Sequence, residues 1–262
     1  MNNNDPNHDA VIVAAARTAI GRAKRGSFAS TRPVELAADV FRGLLDRVDG
    51  LDPSDIDDVI LGCAFPEGEQ GMIMGRMVAL RAGFPQSVPA QTVNRFCSSG
   101  LQTIAHEANA IMARQATTIF AGGTESMTMV PMTGLKYAPN PFFASESPEV
   151  FTNMGLTAEN VAEKYGVSRA DQDKFAFRRH QNANRAVSSG LFDPEIIPID
   201  VEMIEPSSNG GGSKKRSYTF SRDEGPRADT SLEALSRLRP AFKVDGTVTA
   251  GNSSQMSDGA AG

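Results

Sequence analysis

The sequence predicts an α/β protein, a largely parallel sheet with helices on both faces. Two observations carry this. Short apolar runs of strand length recur along the first 125 residues, and amphipathic stretches with helical spacing lie between them. A third observation is that this alternation is lost after Glu125, where Met, Pro, Asn and Gly follow with no sustained period.

The elements follow in order. Residues 10–15 (Ala-Val-Ile-Val-Ala-Ala) read as a first buried strand. A helix is expected from Thr31, because Pro33 suits its first turn and Val34, Ala37, Val40, Phe41, Leu44, Leu45 and Val48 share one face. Residues 58–62 read as a second strand, and a helix over about 71–82 ends near Gly83-Phe-Pro85. Residues 89–94 read as strand, and the next helix carries Leu101, Ile104, Ala105, Ala108, Ile111 and Met112. Residues 116–121 form another strand before Gly122-Gly123. Beyond 126–156, which has no period, helices start near Thr157 and at Ser168, where Asp171 three residues on makes an N-cap signature. Residues 206–213 read as a loop rather than a phosphate cradle, since the glycine spacing of a P-loop is absent. Strand character returns at 247–250, and the sequence ends in what reads as a further apolar strand, so a sheet edge is expected to stand open at Gly262.

Composition narrows the function classes. The chain has 262 residues, 40% apolar and 22% charged, enough to bury a sizeable core. A net charge of −5 argues against bulk nucleic-acid binding. Two cysteines cannot form a disulfide framework, and with three histidines they leave little for a metal site. There is no apolar stretch of bilayer length and no secretory pattern at the start, so the expected location is the cytoplasm, with no membrane partner.

Cys97 is the residue with the strongest chemical context. It lies where a strand meets a helix, and unpaired N–H groups and the dipole at a helix start favour thiolate over thiol. The turn through Ser98-Ser99-Gly100 would expose the sulfur as in a nucleophile elbow. A buried structural cysteine is the competing reading of Cys97, and the preferred one for Cys63. No base is evident. His106 sits nine residues on, half a turn round the helix and about 13 Å along it. His180 lies inside another helix and His8 near the start, and both read as structural or solvent-exposed.

Asn94-Arg-Phe-Cys97-Ser-Ser-Gly-Leu-Gln102 resembles the acyl-enzyme motif of the thiolases. Further matches stand in family order: Val11 to Thr18 with Ile20-Gly21, Ala121 to Met127, Met154 to Asn160, Leu238-Arg-Pro-Ala-Phe242 and Gly246 to Asn252. The resemblance implies a thiolase-like fold, an α/β half interrupted by a loop domain. Residues 1–125 plus 246–262 would form the half and 126–245 the inserted CoA-binding domain. It implies thiolytic cleavage of a 3-ketoacyl-CoA through an acyl group on Cys97, with CoA and acyl-CoA as substrates and no permanently bound cofactor. Alignment places the family's CoA-contacting arginine at Arg227 and its pantetheine-contacting serine at Ser254. Arg227 falls in residues 214–243, where eight basic side chains face four acidic ones.

Other features depart from the family pattern. The Gly-His-Pro histidine and Cys-x-Gly-Gly-Gly cysteine of a second half are absent, so this chain alone is expected to be an incomplete catalyst. A homo-oligomer, or a partner supplying the missing half, is expected. Asn153 before Met154-Gly155, where acetoacetyl-CoA-forming members tend to have His, favours a degradative, β-oxidation type. The alternatives are an acetyl-CoA C-acetyltransferase and a non-catalytic CoA-binding or assembly fragment.

Overall fold

The computed structural model describes residues 9–206 and 213–262, which form two compact units. The first comprises the described residues of Met1–Leu135 and of Asp193–Glu224, together with Met256–Gly262; the second is Lys136–Phe192 with Gly225–Gln255.

The first unit is built on a five-stranded sheet. Its strands are β1 (Gly21–Arg22), β2 (Asp58–Gly62), β3 (Ala90–Val93), β4 (Ile119–Ser126) and β7 (Ser257–Ala261), in the order β1-β7-β4-β2-β3. β2 runs parallel to both β3 and β4, whereas β7 is antiparallel to β4 and β1. Helices α1 (Pro33–Leu45) and α2 (Met74–Ala82) cover one face. There Phe120 of β4 meets Phe41 and Phe84, with ring centroids 5.3 and 5.1 Å away. Helix α3 (Ser99–Met112) lies on the other face and buries only Ser99, Thr103 and Glu107, while Leu101, Ile104 and Met112 stay exposed.

Two expectations about strands need correction. Residues 10–15 are not a buried strand: Val11, Ile12 and Val13 are each about three-quarters exposed. Ala16 exchanges N–H···O bonds with Gly262, but the residues before it have no ladder partner among the described residues. Nor does the sheet stand open at Gly262. β7 is an interior strand, paired on both sides, and the edges are β1 and β3. Residues 247–250 make only an isolated antiparallel bridge, Thr249 with Pro240, before Thr249 N–H donates to Asn252 Oδ1 (2.7 Å) in a turn, and the strand begins later at Ser257.

The units also divide the chain differently from the expected boundaries. A hairpin of β5 (Ile199–Pro206) and β6 (Ser213–Phe220), which the sequence reading missed, packs with the sheet. Its tether is ionic. The Arg17 guanidinium binds Glu195 Oε1 (2.7 Å) and both Asp223 oxygens (2.8 and 3.1 Å). Glu224 accepts from Arg22 N–H (2.7 Å), Ser27 N–H (3.0 Å) and Ser27 O–H (2.6 Å). Phe220 stacks edge-on against Phe28 at 4.9 Å. The expected loop at 206–213 falls mostly outside the described residues, with Pro206 and Ser213 ending and starting the two strands.

The second unit holds α4 (Pro141–Glu146), α5 (Met154–Tyr165), α6 (Arg169–Ser188) and α7 (Leu232–Ser236). The N-cap at Ser168 forms as expected, accepting from Asp171 N–H. Residues 246–252 belong here because two carboxylates hold them. Buried Glu159 accepts from the N–H groups of Thr247 and Val248 (2.9 and 2.8 Å) and the Thr247 hydroxyl (3.0 Å). Asp173 accepts from Asn252 Nδ2 (2.9 Å). Burial pushes the Glu159 carboxyl up, but the two backbone donors, the Thr247 hydroxyl and Lys243 together outweigh it and hold the group below the usual range.

Glu107 is the opposite case. It is buried on α3 and its Oε1 has no hydrogen-bond partner among the described residues. Burial first, then Asp58, push its carboxyl from 4.5 up to about 8. The folded chain therefore holds a proton that the unfolded chain releases, and stability falls as pH rises through about 4.5 to 8. Glu107→Gln stays neutral and is expected to raise Tm by roughly 5 °C at pH 8 and under roughly 1 °C at pH 4.5. Thermal melts across that range check it. A gain independent of pH would mean that Glu107 is not a strained acid.

Candidate active site

The carboxyl ends of β2, β3 and β4 come together at one edge of the first unit, the usual place for chemistry in a parallel sheet. Each strand delivers one ionisable group there or just past its end: Cys63 after β2, Cys97 after β3 and Glu125 in β4. The loops are cross-braced. Cys63 N–H donates to Val93 O (3.1 Å), Asn94 Nδ2 to Ala64 O (2.9 Å) and Ala64 N–H to Glu125 Oε2 (2.7 Å). Gln70 Nε2 donates to the other Glu125 oxygen at 2.7 Å.

The turn that carries Cys97 is tight. Phe96 adopts a positive φ of 45°, a costly conformation for a bulky residue, and packs 5.6 Å from the Phe65 ring. Phe96 N–H donates to Asn94 Oδ1 (2.9 Å). Ser99 Oγ accepts from Arg95 N–H (2.9 Å) and donates to Phe96 O (2.6 Å), closing the loop around the sulfur-bearing residue. Ser98 is the N-cap residue of α3, so Cys97 directly precedes the helix start, as expected. It is exposed and carries a free thiol.

Close packing sets this geometry. A Cβ on Gly62 would come within 2.8 Å of the Ser99 carbonyl carbon, so the end of β2 touches the first turn of α3 directly. Only glycine allows that approach.

Cys63 differs in every respect. It is buried, and burial first, then Glu125, push its thiol up to about 12. This is the packed, inert cysteine that its place after a strand suggested. His106 lies on α3 and is exposed.

Arg227 and Ser254 belong to the second unit. Both are exposed, and Ser254 Oγ donates in a long bond to Gln255 O (3.3 Å). Their segments lie side by side, since a Cβ on Gly225 would come within 2.7 Å of Gln255 Nε2. Arg227 borders a cleft of about 300 Å³ with Phe177, His180, Asn184 and Thr230. The basic stretch 214–243 spans both units, and several of its cations are paired: Lys215 with Glu202, Arg237 with Glu233 and Lys243 with Glu163. Local charge excess therefore narrows to fewer side chains than the sequence count implies. Glu125, Gln70 and Asn94 were not singled out from the sequence. Asn94 and Glu125 lie inside the quoted motifs, so a signal was present, but nothing in the spacing shows that they brace neighbouring loops.

The family described as "Thiolase, N-terminal domain" matches residues 10–262. A 3-ketoacyl-CoA thiolase of Bacillus subtilis (strain 168) is 53% identical over 97% of this chain and 64% of its own length. The peroxisomal 3-ketoacyl-CoA thiolase 1 of Arabidopsis thaliana is 44% identical over 96% of this chain and 56% of its own length. The crystal structure of the Bacillus anthracis acetyl-CoA acetyltransferase superposes with a TM-score of 0.81 at 37% identity, covering 97% of this chain and 64% of that one. The chain thus spans 56–64% of the length of these relatives.

Alkylation separates the two cysteines. Iodoacetamide at pH 7.5 is expected to modify Cys97 at least roughly a hundredfold faster than Cys63 in the folded protein, since the thiolate is the reactive form. Peptide mapping reads the ratio, and comparable rates would show that Cys63 is accessible after all. Gly62→Ala is expected to cost about 1–3 kcal/mol in urea unfolding, because the end of β2 and the helix start would have to separate.

Proposed function

This chain belongs to the thiolase family, and on that premise we propose that it carries the nucleophile and the CoA-binding elements of a thiolytic acyltransferase. The observation that supports this most is Cys97, an exposed free thiol just before α3 at the carboxyl ends of three parallel strands.

The chemistry suits that residue. The Cys97 thiolate attacks the ketone carbon of a 3-ketoacyl-CoA, and the adjoining carbon–carbon bond breaks. Its electron pair stays with the departing acetyl-CoA, which takes up a proton. The acyl group remains on Sγ as a thioester. A second CoA thiol then gives up its proton, attacks that thioester and leaves as acyl-CoA, restoring Cys97. The Cys97 N–H at the helix start would stabilise the oxyanion formed in each attack. Neither Cys63, buried with its thiol held protonated, nor His106, exposed on α3, is assigned the proton transfers.

Arg227 would meet the phosphates of CoA and Ser254 its pantetheine arm. CoA is then a substrate, and no permanently bound cofactor enters the reading. Among the described residues no helix is long and apolar enough to cross a membrane. Two free cysteines favour a reducing compartment, and we take it to be the cytoplasm, although the plant relative is named peroxisomal. A homo-oligomer, or a partner that supplies the proton-handling groups, completes the reading.

The names of the Bacillus subtilis and plant relatives support the 3-ketoacyl-CoA, β-oxidation reading. An acetyl-CoA C-acetyltransferase is the second reading, supported by the name of the Bacillus anthracis protein. Asn153 weighs against it. Its side chain accepts from Leu156 N–H (2.9 Å) as the N-cap of α5.

Incubation with acetoacetyl-CoA and with a longer 3-ketoacyl-CoA, followed by intact-mass and peptide analysis, tests the assignment. An acyl group on Cys97, lost in Cys97→Ser and more abundant with the longer substrate, is expected. Acylation of Cys63 alone would refute the nucleophile. CoA binding without any acylation would favour a non-catalytic fragment. Arg227→Ala is expected to weaken CoA binding by roughly 1–3 kcal/mol, the range for losing a charge-assisted hydrogen bond, as read by calorimetry.

A further inference from the structure

The segment that carries Arg227 has little to hold it. Residues 225–230 contain no helix or strand, and Pro226 offers no N–H. Among the described residues, one hydrogen bond ties the backbone of this segment to α6: Arg227 N–H donates to His180 Nδ1 at 3.2 Å. One turn further along α6, Asn184 Nδ2 donates to the backbone carbonyl of His180 (2.9 Å). Both bonded residues line the cleft to which Phe177, Asn184 and Thr230 also contribute. Among the described residues the Arg227 guanidinium, by contrast, has Asp229 as its one ionic partner, at 3.7 Å with both side chains largely exposed. The arrangement is a loosely paired, exposed cation on a backbone pinned at its own residue.

We propose that His180 is a positioning residue for CoA: its Nδ1 accepts the Arg227 N–H and so fixes the backbone from which the Arg227 guanidinium reaches the phosphates. The inference rests on the CoA reading of Arg227 given above. An unpinned loop would have to be ordered at the moment of binding, and that ordering cost would be subtracted from affinity.

The bond requires a particular form of the ring. Nδ1 accepts only in the neutral tautomer with the proton on Nε2. Protonation would set two donors face to face and abolish the bond. The charged groups around the ring oppose that change. Burial first, then Arg227 of the loop and Arg179 of α6, lower the His180 pKa, and only Asp229 of the loop raises it. The pinned state thus persists into mildly acidic solution.

Calorimetric titration of the full chain with CoA tests the role, using wild type, Arg227→Ala and a set of His180 variants. Asn places its Oδ1 where Nδ1 stands and does not titrate. Gln places its oxygen at the Nε2 position, too far out to meet the Arg227 N–H. At pH 8, His180→Ala and His180→Gln are expected to bind CoA roughly five- to tenfold more weakly, the range for one hydrogen bond, and His180→Asn within about twofold of wild type. Once acidification protonates the ring, wild type is expected to lose affinity relative to His180→Asn. The Gln and Asn pair decides the matter if the Ala variant does not fold.

Equal affinity of wild type and His180→Gln at pH 8 would overturn the positioning role, as would failure of Asn to rescue. A gain of wild type over His180→Asn on acidification would also overturn it, since the imidazolium would then be attracting the anion directly. If wild type does not bind CoA, or if Arg227→Ala binds it as well as wild type, the CoA reading of Arg227 fails, and this inference with it. Weakened Arg227→Ala with unaffected His180 variants would remove the positioning role alone.

Discussion

The slot between β1 and β4 is the constraint on which the rest of the structure depends. β4 ends at Ser126, and its open side is filled by β7, a strand that arrives only after the whole second unit has been traversed. The join is polar and buried. Asp258 accepts from Ser126 Oγ across 132 positions of sequence (3.2 Å) and from Thr128 N–H (2.9 Å), and Thr128 Oγ1 bonds its second oxygen. A buried carboxylate is tolerable only when its oxygens are satisfied, so this network specifies the register of β7. Since β7 also carries β1 through the pairs Gly21–Asp258 and Arg22–Ser257, one returning strand organises the edge of the sheet and the segment that binds the hairpin.

The site is a consequence of this sheet. Parallel strands release their loops at the same end, and the loops after β2 and β3 brace each other through Asn94, Ala64 and Glu125. The missing side chain at Gly62 brings α3 down onto β2, and the elbow bearing Cys97 follows from that contact. Two cysteines leave neighbouring strands with opposite fates. Cys63 points into the packed interior beside Glu125 and stays protonated, while Cys97 stands at the helix start in solvent. Chemical identity is the same, and burial decides between them.

The second unit is ordered by carboxylates rather than by a large apolar core. Glu159 and Asp173 gather the turn 246–252 by accepting its donors, and Arg169 pairs with Asp173 behind it (2.8 Å). Arg169 also donates to Leu235 O and Leu238 O, tying α6 to α7 and the segment after it. Arg227 is tied to the same helix through its backbone N–H and His180 Nδ1, while its guanidinium lies largely exposed beside Asp229.

The sequence by itself determined the elements whose code is local. Helices α1, α3 and α6 were legible in their apolar spacing, in Pro33 and in the Ser168 cap. β2 was legible at its observed bounds because a buried parallel strand is a continuous apolar run. Cys97 was legible because a strand, a tight turn and a helix follow one another within a few residues. Tertiary structure decided what depends on distant partners. Val11 to Val13 look like a buried strand but are about three-quarters exposed, with no ladder partner among the described residues, and an apolar run alone does not supply one. The hairpin β5–β6 is rich in charge rather than apolar, and Asp223 and Glu224 beside it tie it to the sheet unit through donors about 200 residues earlier. β7 contains little more than small residues, so neither its strand nor its place between β1 and β4 could be read without Ser126 and Thr128 opposite Asp258. His180 looked like one more helix residue, and its role exists only where Arg227 N–H meets it, since a hydrogen bond between segments 47 positions apart leaves no period in the sequence.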